Sequence, residues 1–340
     1  MAGLHRKVCL IRSLLVLAAF ALGATAHASG TFSIEGDARG YWAEGEDPEA
    51  ELDVVAVAIR KTLADRGGDR WMLAGLIEIH DDLSEVMIHD AYVRYKGPMG
   101  RWNVTAGRFQ LPFSLLSGFS TSRFLYDNLS DTSVGIHSDG GVMVSGVVGD
   151  LDYGFAATQG LGVHEDPEAE GLDLFSGRVG WTFGDMGEIT TGVSFLFGET
   201  HTAHPLLPRL HKDHDDSDDA HGMHGSHGEH SVDRMIIGMD GTAWFGLWLT
   251  RWEVQAGELD DKAFAGGFAM ADYGLLPRLD ITGAMNIAHY DSELSGNIYL
   301  GLGYRNPWFT LRGGYTYDYS ETDDFHSVSI QLYRVMSWPF

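Results

Sequence analysis

A ladder of short segments with alternating polarity runs from Thr31 to the last residue, Phe340. In residues 31–42, for example, even positions are apolar or small and odd positions are mostly polar or charged. Successive side chains of a strand point to opposite faces, so each segment predicts a β-strand with one apolar and one polar face. Sixteen segments fit this pattern: 31–42, 51–60, 70–80, 86–96, 101–110, 140–149, 151–160, 171–183, 187–198, 233–244, 247–257, 263–273, 278–289, 294–305, 308–319 and 325–338.

The first 28 residues predict an export signal. Basic residues precede the apolar run 14–22, and residues 26–28 form the small-x-small pattern of a cleavage site. An uncleaved N-terminal anchor helix is the alternative. The rest of the chain, 29–340, has no run of about 18 apolar residues that could span a bilayer as a helix. We therefore expect it to cross the membrane as a closed antiparallel β-barrel, because lipid offers no partners to free backbone groups.

The connections between the predicted strands fall into two alternating sets. One set is long or acidic: 43–50, 81–85, 111–139, 161–170, 199–232, 258–262, 290–293 and 320–324. The other consists of short Gly, Pro, Asn and Asp turns: 97–100, 149–150, 184–187, 274–277 and 306–307. Outer-membrane barrels have short periplasmic turns and long external loops, so both chain termini are predicted to be periplasmic.

Aromatic residues mark both ends of the predicted strands, as in the belts at the two membrane interfaces. One end has Trp71, Trp102, Trp181, Trp244, Trp248, Trp308 and Trp338, and the other has Trp42, Tyr290 and Tyr319. The last strand alternates apolar residues up to Phe340, a terminus that the barrel-assembly machinery recognises in such proteins. These features predict an integral protein of a Gram-negative outer membrane, in contact with its lipid and lipopolysaccharide.

The polar faces of the strands predict what lines the lumen. A wet interior of mixed charge in sixteen strands indicates a water-filled pore, because barrels of about eight strands fill with side chains. The predicted lining residues are Asp37, Arg39, Arg94, Arg178, Arg251, Glu253 and Arg312. Segment 51–60 is apolar on both faces, and a short helix packed in the lumen is the competing interpretation there.

Two neighbouring segments, 89–95 (His-Asp-Ala-Tyr-Val-Arg-Tyr) and 102–114 (Trp-Asn-Val-Thr-Ala-Gly-Arg-Phe-Gln-Leu-Pro-Phe-Ser), resemble the core of the phosphate-selective porin O and P family. The resemblance implies a sixteen-stranded barrel, usually a homotrimer, whose third outer loop folds into the lumen as a constriction. Residues 111–139 match that loop. The loop offers only one cation, Arg123, so phosphate specificity is not carried over.

Four charged residues are candidates for the constriction, because charged rings and loops in a pore set ion preference. They are Arg108, Arg123, Asp127 and Asp131. Arg108 has the opposite parity to Asn103 and Thr105 in its strand, so it reaches the lumen only if a bulge intervenes.

Loop 199–232 is rich in histidine and aspartate. Eight histidines lie in it: His201, His204, His211, His214, His221, His224, His227 and His230. Imidazole and carboxylate are ligands of borderline divalent metals, so zinc, copper or nickel binding is expected. A solvated low-complexity loop is the alternative, and a surface whose charge changes with pH is another.

The sequence predicts no enzyme. It contains no Gly-x-Ser-x-Gly, His-Glu-x-x-His, P-loop or dinucleotide-binding motif, and the adjacent residues His137, Ser138 and Asp139 would point to alternate faces. The net charge of −25 argues against nucleic acid and favours cations. We expect a porin for passive diffusion of small hydrophilic solutes, with cation preference and no required cofactor. The alternative is a barrel that captures metal at the cell surface through loop 199–232.

Overall fold

A computed structural model describes residues 28–45, 47–65, 68–80, 85–115, 125–126, 128–162, 171–201, 231–320 and 324–340. The predicted signal peptide, 1–28, lies almost entirely outside the described residues and stays a prediction. Among the described residues, no helix has both the length and the apolar character needed to cross a membrane.

The chain forms one closed antiparallel barrel, and this confirms the predicted fold class. Each strand pairs with the strands before and after it, and the first strand pairs with the last. The strands are β1 (Ala28–Ala43), β2 (Glu49–Asp65), β3 (Gly68–His80), β4 (Glu85–Lys96), β5 (Asn103–Gln110), β6 (Ser138–Val148), β7 (Leu151–Thr158), β8 (Leu174–Phe183), β9 (Ile189–His201), β10 (Ser231–Phe245), β11 (Trp248–Leu259), β12 (Lys262–Leu276), β13 (Leu279–Tyr290), β14 (Glu293–Arg305), β15 (Thr310–Tyr319) and β16 (Asp324–Pro339).

Side chains alternate between an apolar outer face and a polar inner face. In β15, for example, Leu311 and Tyr315 are exposed on the outside, while Arg312 lies inside and donates to Gln331 of β16. The doubtful segment 51–60 belongs to β2, so the alternative of a lumen helix is wrong. Its inner-face residues Val54 and Ala56 are buried, which explains why this strand is apolar on both sides.

The two ends of the barrel differ as the sequence predicted. One end, the short-turn end, has the connections 97–102, 149–150, 184–188, 246–247, 277–278 and 306–309, together with both chain termini. The seven tryptophans predicted to lie together are all at this end. The turn predicted at 274–277 falls later, because β12 continues to Leu276.

The other end, the long-loop end, has the longer connections and two tight acidic turns. Asp260 and Asp261 form one turn and Asp291 and Ser292 the other, and all four residues have positive φ. Positive φ at both central residues is the geometry of a type I′ hairpin turn, which matches the twist of the flanking strands. Acidic character at this end therefore comes from short hairpins as well as from long loops.

Candidate pore constriction

Residues 111–137, here called the inward segment, connect β5 to β6, and their described parts lie inside the barrel. The described parts are 111–115, 125–126 and 128–137, and they include the helix α1 (Leu129–Val134). Leu111, Phe113 and Leu129 are completely buried, in one cluster with wall residues of β8 to β14. The main apolar core therefore lies in the lumen, between the inward segment and one side of the wall. This placement agrees with the constriction loop that the family resemblance implies.

Two glycines of the wall provide space for side chains of the inward segment. A Cβ added at Gly266 of β12 would lie 2.7 Å from Cδ1 of Leu129, and one added at Gly154 of β7 would lie 3.0 Å from Cβ of Pro112. At Gly238 of β10, by contrast, an added Cβ would make an ordinary contact with Cζ of Phe113, at 3.7 Å. The segment thus approaches the wall more closely than it could over larger residues.

A buried carboxylate, that of Glu253 on β11, accepts hydrogen bonds from two places in the inward segment. Its Oε2 accepts from the hydroxyls of Ser114 at 2.6 Å and Ser130 at 2.8 Å, and its Oε1 accepts from the Ser130 backbone N–H at 2.8 Å. Gln255, on the same face, donates to the Ser130 hydroxyl at 2.7 Å and accepts from Ser133 at 2.6 Å. These bonds satisfy polar groups that burial would otherwise penalise.

Two further contacts hold the C-terminal half of the inward segment. Arg234 of β10 donates to the Ser133 carbonyl and to the Thr200 hydroxyl. Just after the segment, the Asp139 carboxylate accepts backbone N–H bonds from Gly160, Leu161 and Gly162. The carboxylate therefore joins the start of β6 to the connection that follows β7.

Tyr126 packs its ring against β12 and β14, on the same side of the wall. The ring centroid lies 4.7 Å from that of Tyr299 on β14, and the Tyr126 hydroxyl donates to the Met270 sulfur at 3.0 Å. Burial raises the pKa of the Tyr126 hydroxyl, which therefore stays neutral. Tyr299 itself lies over Gly301 and Gly314, where a Cβ would overlap its ring.

The part of the lumen left open beside the inward segment contains a cavity of about 290 Å³ lined by charged residues of both signs. Arg60, Asp90, Arg94, Asp152 and Arg178 contribute to its wall. In the described part of the chain neither Arg60 nor Arg94 forms an ion pair with a carboxylate. Arg94 instead donates to the Thr105 hydroxyl at 3.1 Å and lies over the Tyr92 ring.

Three other lumen arginines, Arg39, Arg178 and Arg305, are paired with carboxylates. Arg39 contacts Asp37 at 2.8 Å and Asp53 at 3.1 Å, and Arg305 contacts Asp280 at 3.1 Å. Of the three arginines that line the cavity, Arg178 is bonded to Asp152 and Asp240, whereas Arg60 and Arg94 have only the longer-range attraction of Asp90. The guanidinium groups of Arg60 and Arg94 are therefore the cavity cations most open to a passing solute.

The predicted lining residues all lie on the inner face: Asp37, Arg39, Arg94, Arg178, Arg251, Glu253 and Arg312. Glu253 is covered by the inward segment, so it supports the constriction and does not line the open path. The alternation of polarity predicted its face correctly but could not show what covers it.

The constriction candidates have different outcomes. Arg108 lies on the outer face, opposite Ala91 of β4 and in phase with the exposed Val104, and it donates to the Ile88 carbonyl. No bulge shifts its register, so the expectation that it reaches the constriction is corrected. Arg123 and Asp127 lie outside the described residues. Asp131 belongs to α1, but its side chain is also outside the description.

The sequence did not reveal several residues of this region. Ser114, Ser130 and Ser133 hold the inward segment, and Arg60 lines the cavity. The inward parity of Arg60 in β2 was a signal that could have identified it. The serines gave no signal, because their partners Glu253 and Gln255 are more than a hundred residues away in sequence.

A serine, a histidine and a carboxylate do meet near the long-loop end. The Ser138 hydroxyl lies 3.2 Å from Nδ1 of His89, whose Nε2 lies 3.5 Å from a carboxylate oxygen of Glu78. Ser138 is completely buried, so its hydroxyl is closed to a substrate. We interpret the group as a structural polar cluster.

The predicted metal ligands fall almost entirely outside the description. Only His201 is described; it is half-buried at the end of β9, and its backbone N–H donates to the Gly160 carbonyl. The others are His204, His211, His214, His221, His224, His227 and His230. Within the described ranges, no three His, Cys, Asp or Glu side chains are placed to hold a metal ion. Metal binding by this loop stays a prediction.

Comparison with known proteins gives a fold but no family. No family model and no curated protein matches the sequence. An anion-selective porin from Comamonas acidovorans aligns with 91% of this chain and 100% of its own, at 12% identity and a TM-score of 0.67. The trimer form of OmpT, an outer-membrane protein of Vibrio cholerae, covers 90% and 99% at 12% identity and a TM-score of 0.65. OpdQ of Pseudomonas aeruginosa covers 93% and 100% at 9% identity and a TM-score of 0.52.

At these identities the similarity shows the fold alone. This chain closes a barrel of sixteen strands, and its barrel fold is similar to that of the anion-selective porin. Membership of the phosphate-selective porin O and P family is not shown.

Proposed function

We propose that this protein is an outer-membrane porin through which small hydrophilic solutes diffuse passively. The observation that carries the proposal is the inward segment, which fills one side of a sixteen-stranded lumen and leaves a charged cavity on the other. A barrel built only as a membrane anchor has no need of a wide polar lumen with a built constriction. We infer a channel and not an enzyme, because the mixed charges of the cavity suit solvated solutes of many kinds.

The orientation follows from the same architecture. The short turns and both termini are proposed to be periplasmic, and the long-loop end is proposed to face outward. We also propose a homotrimer; the trimer form of the OmpT neighbour supports this assembly.

Ion preference is proposed to arise in two places. The acidic connections of the long-loop end raise the local cation concentration at the mouth, an effect that salt screens within about 8 Å at physiological ionic strength. Inside the lumen, the positive charges of Arg60 and Arg94 act on ions at short range and oppose this cation enrichment. The net result is a modest cation preference that weakens as salt rises.

Single-channel recording in planar bilayers tests the proposal. We expect a steady ohmic conductance, with a reversal potential that indicates cation preference at low salt. A folded barrel that conducts no ions would refute the porin function.

The second candidate, metal capture at the cell surface, is carried by the eight histidines between Glu199 and Val232. It predicts that zinc, copper or nickel binds to this loop and changes the current. Deletion of the loop separates the two functions, because a porin without the loop still conducts whereas metal capture is lost.

A further inference from the structure

We propose that Glu253 is the positioning residue of the inward segment and thereby sets the largest solute that the pore admits. This inference rests on the proposed pore function. It concerns a group that touches no solute, since Glu253 is completely buried beneath the segment.

Hydrogen bonds from two separate parts of the segment converge on Glu253. The carboxylate accepts from Ser114, near the start of the inward segment, and from both the hydroxyl and the backbone N–H of Ser130 in α1. The backbone N–H of Leu115 also points at the same oxygen as Ser114, at 3.5 Å. A single wall residue therefore fastens both parts of the segment.

These hydrogen bonds also give the segment a defined position. Most of the contact between segment and wall is apolar, and apolar contact is non-directional, so it permits sliding. The hydrogen bonds of Glu253 and Gln255 are directional, and those to Glu253 are charge-assisted. They therefore fix one position of the segment against the wall. Both residues lie on the inner face of β11 and face the serines of the segment.

Other contacts remain when the carboxylate is lost. Arg234 and Asp139 still hold the C-terminal end of the segment, so the segment stays in the lumen. Ser114 and α1 lose their common acceptor and keep only the bonds from the Ser114 backbone N–H to Ser194 and from α1 to Gln255. The hydroxyls of Ser114 and Ser130 are left as unsatisfied donors in a buried position. A hydrogen bond to a charged group changes an equilibrium constant by about ten- to hundredfold, so displaced positions become populated by that factor.

The test compares Glu253→Gln with a matched control, Glu258→Gln. Glu258 is on the same strand, but its side chain faces outward and is exposed. The Glu253→Gln substitution keeps the shape of the side chain but turns one acceptor into a donor facing Ser114 and Ser130. We expect current fluctuations between several levels, and faster swelling of proteoliposomes in a trisaccharide relative to a pentose. The Glu258→Gln channel stays steady, with the wild-type size limit.

A second variant keeps the inference testable if Glu253→Gln fails to fold. Ser114→Ala with Ser130→Ala removes both hydroxyl donors and keeps the carboxylate, and it should reproduce the same fluctuations. Combining it with Glu253→Gln should add little, because both changes remove the same contacts. A folded Glu253→Gln or double-serine channel as steady and as size-selective as wild type overturns the inference. A wild-type barrel that does not conduct refutes the pore function instead.

Discussion

Arg178 on β8 and Asp240 on β10 meet across the strand between them. The arginine Nη2 donates to Oδ1 of Asp240 at 2.6 Å and its Nε donates to Oδ2 at 2.9 Å, while Nη1 reaches Asp152 of β7 at 2.9 Å. The guanidinium can lie flat because Gly192 of β9 has no side chain; an added Cβ would lie 2.5 Å from Nη2. One side chain thus bonds three strands, β7, β8 and β10, across β9, and links the wall of the cavity to the wall that carries the inward segment.

Replacing Arg178 by Gln is expected to destabilise the barrel by about 3–5 kcal/mol, because it leaves a buried carboxylate without its counter-charge. Asp240 is only 1% exposed and is paired with Glu253 of β11. Without Arg178, its charge would therefore lie next to a second buried carboxylate with no arginine to offset the repulsion. Urea-induced unfolding in lipid vesicles measures the change. The control is Arg305→Gln. The Arg305 side chain is 60% exposed, and its ion pair with Asp280 should contribute less than about 1 kcal/mol. Equal losses in the two variants would contradict the prediction.

Replacing Gly266 by Val is expected to displace α1. The new Cβ would lie 2.7 Å from Cδ1 of Leu129 and 2.9 Å from the Ile287 carbonyl oxygen, so either the side chain or the strand must shift. Overpacking of this kind costs about 1–3 kcal/mol. We expect lower stability to urea and a fluctuating single-channel current. At Gly283 an added Cβ meets no atom within 4 Å, so Gly283→Val should behave as wild type; a similar effect there would remove the steric explanation.

The barrel could be predicted from the sequence because its determinants are local. Alternating polarity sets the faces, turn residues set the strand ends, and tryptophans mark the interface, all within about ten residues of each other. β2 was doubtful for a physical reason: its inner-face residues Val54 and Ala56 are buried, so the usual polar face is missing.

The constriction could be predicted only in outline. Its position depends on pairs such as Ser114 with Glu253, which are remote in sequence and have no periodicity to reveal them. The glycines beneath Leu129 and Pro112 look like ordinary strand glycines until the segment that packs on them is known. Arg108 shows the opposite failure: its charge suggested the lumen, but the uninterrupted pairing of β5 places it outside.

Replacing both Arg60 and Arg94 by Gln is expected to increase cation preference. These guanidinium groups line the cavity, form no salt bridge within the described residues and are attracted by Asp90 only at longer range, so their charge acts on passing ions. The ratio of cation to anion permeability, from reversal potentials in a KCl gradient, should rise several-fold. Arg108→Gln is the matched control, because that side chain is outside the lumen. If Arg108→Gln shifted the permeability ratio and the Arg60 and Arg94 double variant did not, Arg108 would face the lumen and the two cavity arginines would not.

Deleting residues 202–230 separates the porin from the metal-capture hypothesis. His201 and Ser231 are paired at the ends of β9 and β10, so an Asn-Gly turn can close the hairpin without disturbing the barrel. If the histidines bind metal, added zinc changes the conductance or selectivity of wild type, a chelator reverses the change, and the deletion variant shows neither effect. Equal responses of both proteins would place the zinc site on the barrel itself. No response in either would leave the loop as a solvated acidic segment, whose deletion should still lower cation preference at low salt because it removes negative charge from the mouth.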